Sequence, residues 1–214
     1  MKIERIIRKD EKNVTVFFDN DEKLILSEDV FYKSGLRKGD EVSDDRFSFF
    51  VEQNIIYHIK QRALSFISRR YHSQTELFLK LKIKSYDERL INVVLSDLKQ
   101  KGFIDDRVFA SHYIEEKLNK KKWGKNKIKS GLISKGVDSK TIDGLLQEFE
   151  NSKSEFDLAY ELGEKKLSQL KKRNLDDKKL QNRIYSFLIS RGFSFEVTRE
   201  VCQKLFKSEF NWRV

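Results

Sequence analysis

Ile128-Lys129-Ser130-Gly131-Leu132-Ile133-Ser134-Lys135-Gly136-Val137, continued by Leu145, Leu146 and Phe149, decides the fold, because its apolar skeleton occurs three times at one spacing. Upstream the same set reads Leu77, Leu81, Tyr86, Val94, Leu95 and Leu98; downstream it reads Ile184, Leu188, Phe193, Val201, Cys202 and Leu205. In each copy the first two positions are four apart and so share one helix face, and the last three again have helical spacing. A break separates the two helices, at Lys84-Ser85, Lys135-Gly136 and Arg191-Gly192. Glycine ends a helix there by taking a left-handed backbone, and the cation before it suits the negative end of the helix dipole. An apolar helix precedes each unit, around Ala63 to Ile67, Phe109 to Leu118 and Phe156 to Leu170, which makes each repeat roughly fifty residues long. The pattern predicts a mainly α chain, a tandem array of three-helix modules forming an elongated, curved solenoid.

The first residues do not share the pattern. Ile3 to Arg8, Asn13 to Phe18 and Lys23 to Ser27 are short β-prone runs separated by Lys9-Asp10-Glu11-Lys12 and Asp19-Asn20-Asp21-Glu22, and they predict a small antiparallel meander. A short helix around Glu28 to Ser34 and a turn at Arg37-Lys38-Gly39-Asp40 complete it. The next helix is expected to begin near Asp44 or Asp45 and run to Arg70, with Ile56, Ile59, Ala63 and Ile67 as its apolar stripe. The expected division is a β-rich cap at 1–44 and three repeats at 45–104, 105–150 and 151–214. Ser73-Gln74-Thr75-Glu76 has the form of a capping box; Asp105 or Asp106, Ser139, Asp176 and Ser194 are candidate caps further on.

Charged residues make up 36% of the 214 residues, with a formal net charge of +10, which points to a polyanionic partner or an acidic protein surface. One cysteine excludes an intramolecular disulfide framework, no apolar run suits a membrane span, and the N-terminal residues lack signal-peptide character. The expectation is a soluble cytoplasmic protein. His58, His72 and His112 lack metal-binding spacing, Cys202 stands at a core position, and capping explains the Asp105-Asp106 pair without a nuclease site. Gly124-Lys125 lacks the remainder of a phosphate-binding loop, since Asn126 stands where Ser or Thr is needed. No catalytic constellation emerges, and neither a cofactor nor a metal is expected.

The basic windows are more informative. From 117 to 136 there are eight lysines and no acid: Lys117, Lys120, Lys121, Lys122, Lys125, Lys127, Lys129 and Lys135, with Trp123 among them. From 60 to 84 the cations are Lys60, Arg62, Arg69, Arg70, Lys80, Lys82 and Lys84, against Glu76. Both windows cover the end of a first helix and all of a second, so stacked repeats would merge them into a basic stripe suited to a phosphate backbone. Trp123 either stacks on a base or wedges between helices.

Ala63-Leu64-Ser65-Phe66-Ile67-Ser68-Arg69-Arg70 followed by Ser73-Gln74-Thr75-Glu76-Leu77 and Lys80-Leu81 resembles the first repeat of the RecX recombination regulators. Leu98-Lys99-Gln100-Lys101-Gly102-Phe103-Ile104-Asp105-Asp106, with Phe109-Ala110 and Tyr113, is similar to that family's junction between repeats. Gly124, Lys127, Ile128, Leu132, Lys135, Gly136 and Val137 match its second repeat; Ser85, where glycine is common, departs from it. The resemblance implies a non-enzymatic, monomeric partner of the RecA recombinase that lies in the RecA filament on single-stranded DNA. It further implies lower ATP hydrolysis, strand exchange and coprotease activity in recombination and the SOS response. Rival expectations are a RecA-independent binder of single-stranded or duplex DNA, and an inert helical scaffold.

Overall fold

A computed structural model of the chain describes residues 1–8, 10–150, 154–172 and 176–206. Lys9, the expected repeat boundary at 150/151 and the end of the expected third repeat fall at or against residues outside this set. The described chain separates into two compact units: residues 1–72 with 76–104, and residues 73–75 with 105 onward.

In the first unit, β1 (Ile3–Arg8), β2 (Asn13–Phe18) and β3 (Lys23–Ser27) form an antiparallel sheet in that order, with Val16 opposite both Ile6 and Leu24. The alternation of β3 is visible in its burial: Leu24 and Leu26 enter the core, whereas Ile25 faces solvent. The Asp10 carboxylate accepts from the backbone of Lys12 and Asn13, both at 2.8 Å, which sets the first hairpin turn. α1 (Glu28–Ser34) ends on Gly35 at φ 68°. α2 (Asp44–Ile67) begins at Ser43, whose hydroxyl accepts from Arg46 N. The Asn54 side chain of α2 accepts from Ser27 N at 2.8 Å and donates to Ile25 O at 3.1 Å, satisfying part of the free edge of β3. Ile3, Val16, Phe18, Leu24, Leu26, Leu36, Val42 and Phe50 form the buried core beneath this sheet.

α2 ends three residues before the expected Arg70. Ser68 Oγ donates to Ser65 O and Arg69 N to Phe66 O, a tightened last turn that redirects the chain so that His72 is buried. α3 (Gln74–Lys82) and α4 (Glu88–Gln100, capped by Asp87) complete a trio with α2, around Ile59, Ala63, Leu77, Leu81, Ile91, Val94, Leu95 and Leu98.

The second unit holds two more trios. α5 (Asp106–Asn119), α6 (Lys125–Ile133) and α7 (Ser139–Glu150) enclose Phe109, Ala110, Ile114, Ile128, Leu132, Ile142 and Leu145. α8 (Glu155–Lys171), α9 (Asp177–Arg191) and α10 (Phe195–Phe206) enclose Ala159, Ile184, Leu188, Phe193, Val201 and Cys202. The equivalent residues Leu81, Leu132 and Leu188 are all fully buried, as the register requires. Asp105, Asp176 and Ser194 cap their helices. At α7 the cap is Asp138, which accepts from Thr141 N at 2.9 Å, and Ser139 is already the first helical residue.

Main chain joins these two trios. Gly124 N donates to Arg191 O at 2.8 Å and Asn126 N to Gly192 O at 3.0 Å, while the Arg191 guanidinium donates to Lys121 O and Lys127 Nζ to Ser190 O. A Cβ on Gly124 would collide with the backbone of Gly192 and Phe193, and one on Gly192 with Lys127. The same pattern recurs within the unit at Ser73–Thr75. Ser73 Oγ donates to Lys135 O at 2.7 Å, Gln74 N to Asp106 Oδ1 at 2.9 Å, and Thr75 fills the space that a Cβ on Gly136 would need.

Candidate functional site

Ala63, Ala110 and Ala159 are fully buried on the first helix of each trio, within its core. Seven residues beyond each stand Arg70, Lys117 and Lys166; equivalent to one another are Lys84 and Lys135, in the turns just past α3 and α6, and Arg191, the last residue of α9. Each trio carries at least one aromatic ring with a cation over it, and the third has two more, Phe156 and Tyr160, under Lys204. Phe66 lies under Lys80 Nζ at 4.9 Å. Tyr113 lies under Lys117 at 4.9 Å and Lys135 at 5.8 Å. In the third trio the ring has moved to the second helix, where Phe187 lies under Lys166 at 5.5 Å and Arg191 at 5.2 Å. Gly131, the counterpart of Phe187, has no side chain because the Tyr113 hydroxyl occupies the space for its Cβ. A ring face orients a cation without cancelling its charge, contributing about 0.5–1 kcal/mol at an exposed site. Neither Lys117 nor Lys166 is in the expected site; Lys117 opens the eight-lysine run, whereas Lys166 lies outside both basic windows and only the folded helices bring it to its ring.

The expected cations divide by their partners. Arg69, Lys84, Lys120 and Lys121 are exposed and make no side-chain ion pair among the described residues. Lys122 lines a cavity of about 160 Å³ beside Trp123 and Leu158, at φ 53°. Others are engaged: Arg70 with Glu76 at 3.0 Å, Lys82 with Glu88 at 2.6 Å, Lys129 with Asp143 at 2.6 Å and Lys125 with Glu155 at 3.7 Å. Such solvent-exposed pairs are worth only about 0–1 kcal/mol. Lys127 lies 4.9 Å from the Trp123 ring centroid and Lys117 5.3 Å from it. Trp123 also packs, half-buried, on the core of the second trio.

Ser73, Glu76, Gly102, Asp105, Asp106, Phe109, Gly124 and Gly136 hold backbone and packing in place. Gly102 and Gly136 have φ of 74° and 78°, Asp105 caps α5, Asp106 accepts from Gln74 N, and Phe109 is core. His72 is 6% exposed; its Nδ1 donates to Arg70 O at 2.9 Å, which leaves Nε2 to accept from Lys80 Nζ at 2.9 Å. Burial pushes its pKa down, outweighing the raising effect of the Arg70 carbonyl, and the imidazole is neutral. Burial pushes the Cys202 thiol up to about 11, the reverse of an activated nucleophile. Among the described residues no group of His, Cys, Asp and Glu is placed to hold a metal ion, and no helix is long and apolar enough to cross a membrane. What the arrangement offers is oriented positive charge.

Comparison with known proteins gives a consistent answer. Family models described as the first, second and third three-helix domains of RecX match residues 60–98, 105–146 and 153–202. Regulatory protein RecX of Clostridium acetobutylicum is 33% identical over 200 residues, covering 93% of this chain and 92% of that protein. The protein of the same name from Clostridium tetani is 32% identical, with 97% and 94% covered. A crystal structure of regulatory protein RecX superposes with a TM-score of 0.75 at 23% identity, covering 94% of this chain and 98% of the other. That of RecX from Lactobacillus salivarius gives 0.62 at 22% identity, with 73% and 99% covered.

Proposed function

The chain belongs to the RecX family, whose members are regulatory proteins and not enzymes, and from that premise we propose that it binds the RecA filament on single-stranded DNA and lowers RecA activity. It acts in the cytoplasm as a monomer, with ATP hydrolysis, strand exchange and coprotease activity as the functions it restrains. Its working parts are the cap at 1–44 and repeats at 45–104, 105–150 and 151–214. The observation that carries this reading is that every helix trio holds at least one cation over an aromatic ring, Lys80 over Phe66, Lys117 and Lys135 over Tyr113, and Lys166 and Arg191 over Phe187, with Lys117 also paired to Glu116 at 3.0 Å. Together with the exposed Arg69, Lys84, Lys120 and Lys121, these cations suit the DNA phosphates and acidic walls of a nucleoprotein groove.

RecA ATP turnover on single-stranded DNA, with this protein titrated in, tests the reading. Turnover is expected to fall at sub-stoichiometric amounts, and an unchanged rate with equimolar folded protein overturns the proposal. Lys121→Glu/Lys122→Glu, compared with Lys171→Glu/Lys172→Glu, then assigns the surface. Each lost contact to single-stranded DNA flattens the slope of log K against log salt by about 0.7. If only filament binding weakens, the lysines meet RecA; if binding to bare DNA weakens too, with a smaller slope, they meet DNA; if neither changes, the stripe is an ordinary solvated face.

A further inference from the structure

An open groove of about 470 Å³ runs between α1 and α2 in the first unit. Its floor is apolar, with Phe50 buried and Val30 half-buried, while Phe49 on its wall remains 55% exposed. Both banks are cationic. Lys33 stands in the last turn of α1, and Arg46 rises from the start of α2 with its guanidinium carbon 5.7 Å from the Phe50 ring centroid. Neither cation has a carboxylate partner among the described residues, and no carboxylate lines the groove. A large aromatic left in solvent within a concavity, between two unneutralised cations, is the composition of a contact surface. The groove also precedes residue 60, where the match to the three-helix family models begins, so the helix repeats do not account for it.

The chemistry selects the occupant. A nucleic-acid strand would set phosphates on the cations and stack a base on Phe49, but a base seated against Val30 and Phe50 gives up hydrogen bonds at its polar edge, whereas an acidic peptide carrying one large apolar side chain matches both the cations and the floor. We propose that this groove is a docking site for an acidic segment of a partner protein. The segment sets an aromatic or large aliphatic side chain against Phe49 and Phe50 and places flanking carboxylates on Lys33 and Arg46.

Fluorescence anisotropy of the full-length protein with a short labelled peptide, one phenylalanine set among aspartates, tests this. Saturable binding is expected, weakened about tenfold by Lys33→Glu/Arg46→Glu. Phe49→Ser, and serine in place of the peptide's phenylalanine, are each expected to weaken it about fivefold. The charge-reversed protein is expected to bind a peptide with lysines replacing the aspartates, which separates a changed surface from a lost fold. No saturable binding overturns the proposal, as does an affinity indifferent to Lys33→Glu/Arg46→Glu or to Phe49→Ser. Displacement of the peptide by oligothymidylate, with the same dependence on Lys33 and Arg46, overturns it in favour of a nucleic-acid surface.

Discussion

His72 closes the connector before α3 and Trp123 closes the one before α6, at the same place in the repeat, yet they do so by opposite means. The imidazole is buried and neutral, donating to the Arg70 carbonyl and accepting from Lys80. The indole is half-buried, flanked by the ammonium groups of Lys117 and Lys127. A similar contrast holds one helix later. Ser85 and Gly136 both have a left-handed backbone, at φ 61° and 78°, but only at Gly136 does another segment, Thr75, fill the space where a Cβ would stand. The repeat therefore fixes geometry, and what touches each position fixes chemistry. Glycine at the second and third turns records close approach as well as a turn; serine at the first records the turn by itself.

Equivalence of the two trios is the first thing to break. Leu81→Ala and Leu132→Ala remove the same buried side chain and are each expected to cost about 2–5 kcal/mol by urea unfolding. A cost below 1 kcal/mol at either one would show that trio to be loosely packed. Gly136→Ala sharpens the contrast of the turns, with an expected loss of about 2 kcal/mol from backbone strain and overpacking together. Adding Thr75→Ala should recover part of that loss, and no recovery would place the strain in the backbone alone.

The connector plugs differ in their response to acid. The His72 pKa is depressed below its ordinary 6.5, so the unfolded chain takes up a proton first as pH falls and stability drops below about pH 6.5. Thermal melts at about pH 7.5 and 5.5 should show a larger difference for the native chain than for His72→Gln. Equal differences would mean that the imidazole is free to protonate in the fold. The smallest expected effect is that of Ser85→Gly, a gain within about 1 kcal/mol from relief of left-handed strain. A clear loss would reveal a role for the serine side chain.

The strands, the helices of the described residues and the core register were legible because they depend on periodicity and on local caps such as Asp105, Asp176 and Ser194. The misread cap at α7 is a contest between neighbours, Asp138 and Ser139, that local chemistry leaves nearly even. The early end of α2 depends on the burial of His72, a tertiary event. The candidate site was the least legible part. Lys129 finds Asp143, Lys125 finds Glu155 and Lys127 finds the Ser190 carbonyl, partners 14, 30 and 63 residues away. A charge run in sequence cannot distinguish those lysines from Lys120 and Lys121, whose side chains have no such partner among the described residues.

The main-chain seam at Gly124 and Gly192 also wires two helices in series. α9 ends where α6 begins, and the carbonyls of Arg191 and Gly192 at the negative pole of one helix receive the N–H groups of Gly124 and Asn126 at the positive pole of the other. Helix starts ordinarily attract phosphate through those N–H groups. Here that circuit is closed inside the protein, so an anion arriving at this corner meets long, hydrated side chains instead of a rigid backbone cradle. Attraction of that kind is adjustable, reaching phosphates at irregular spacing and fading as salt is added.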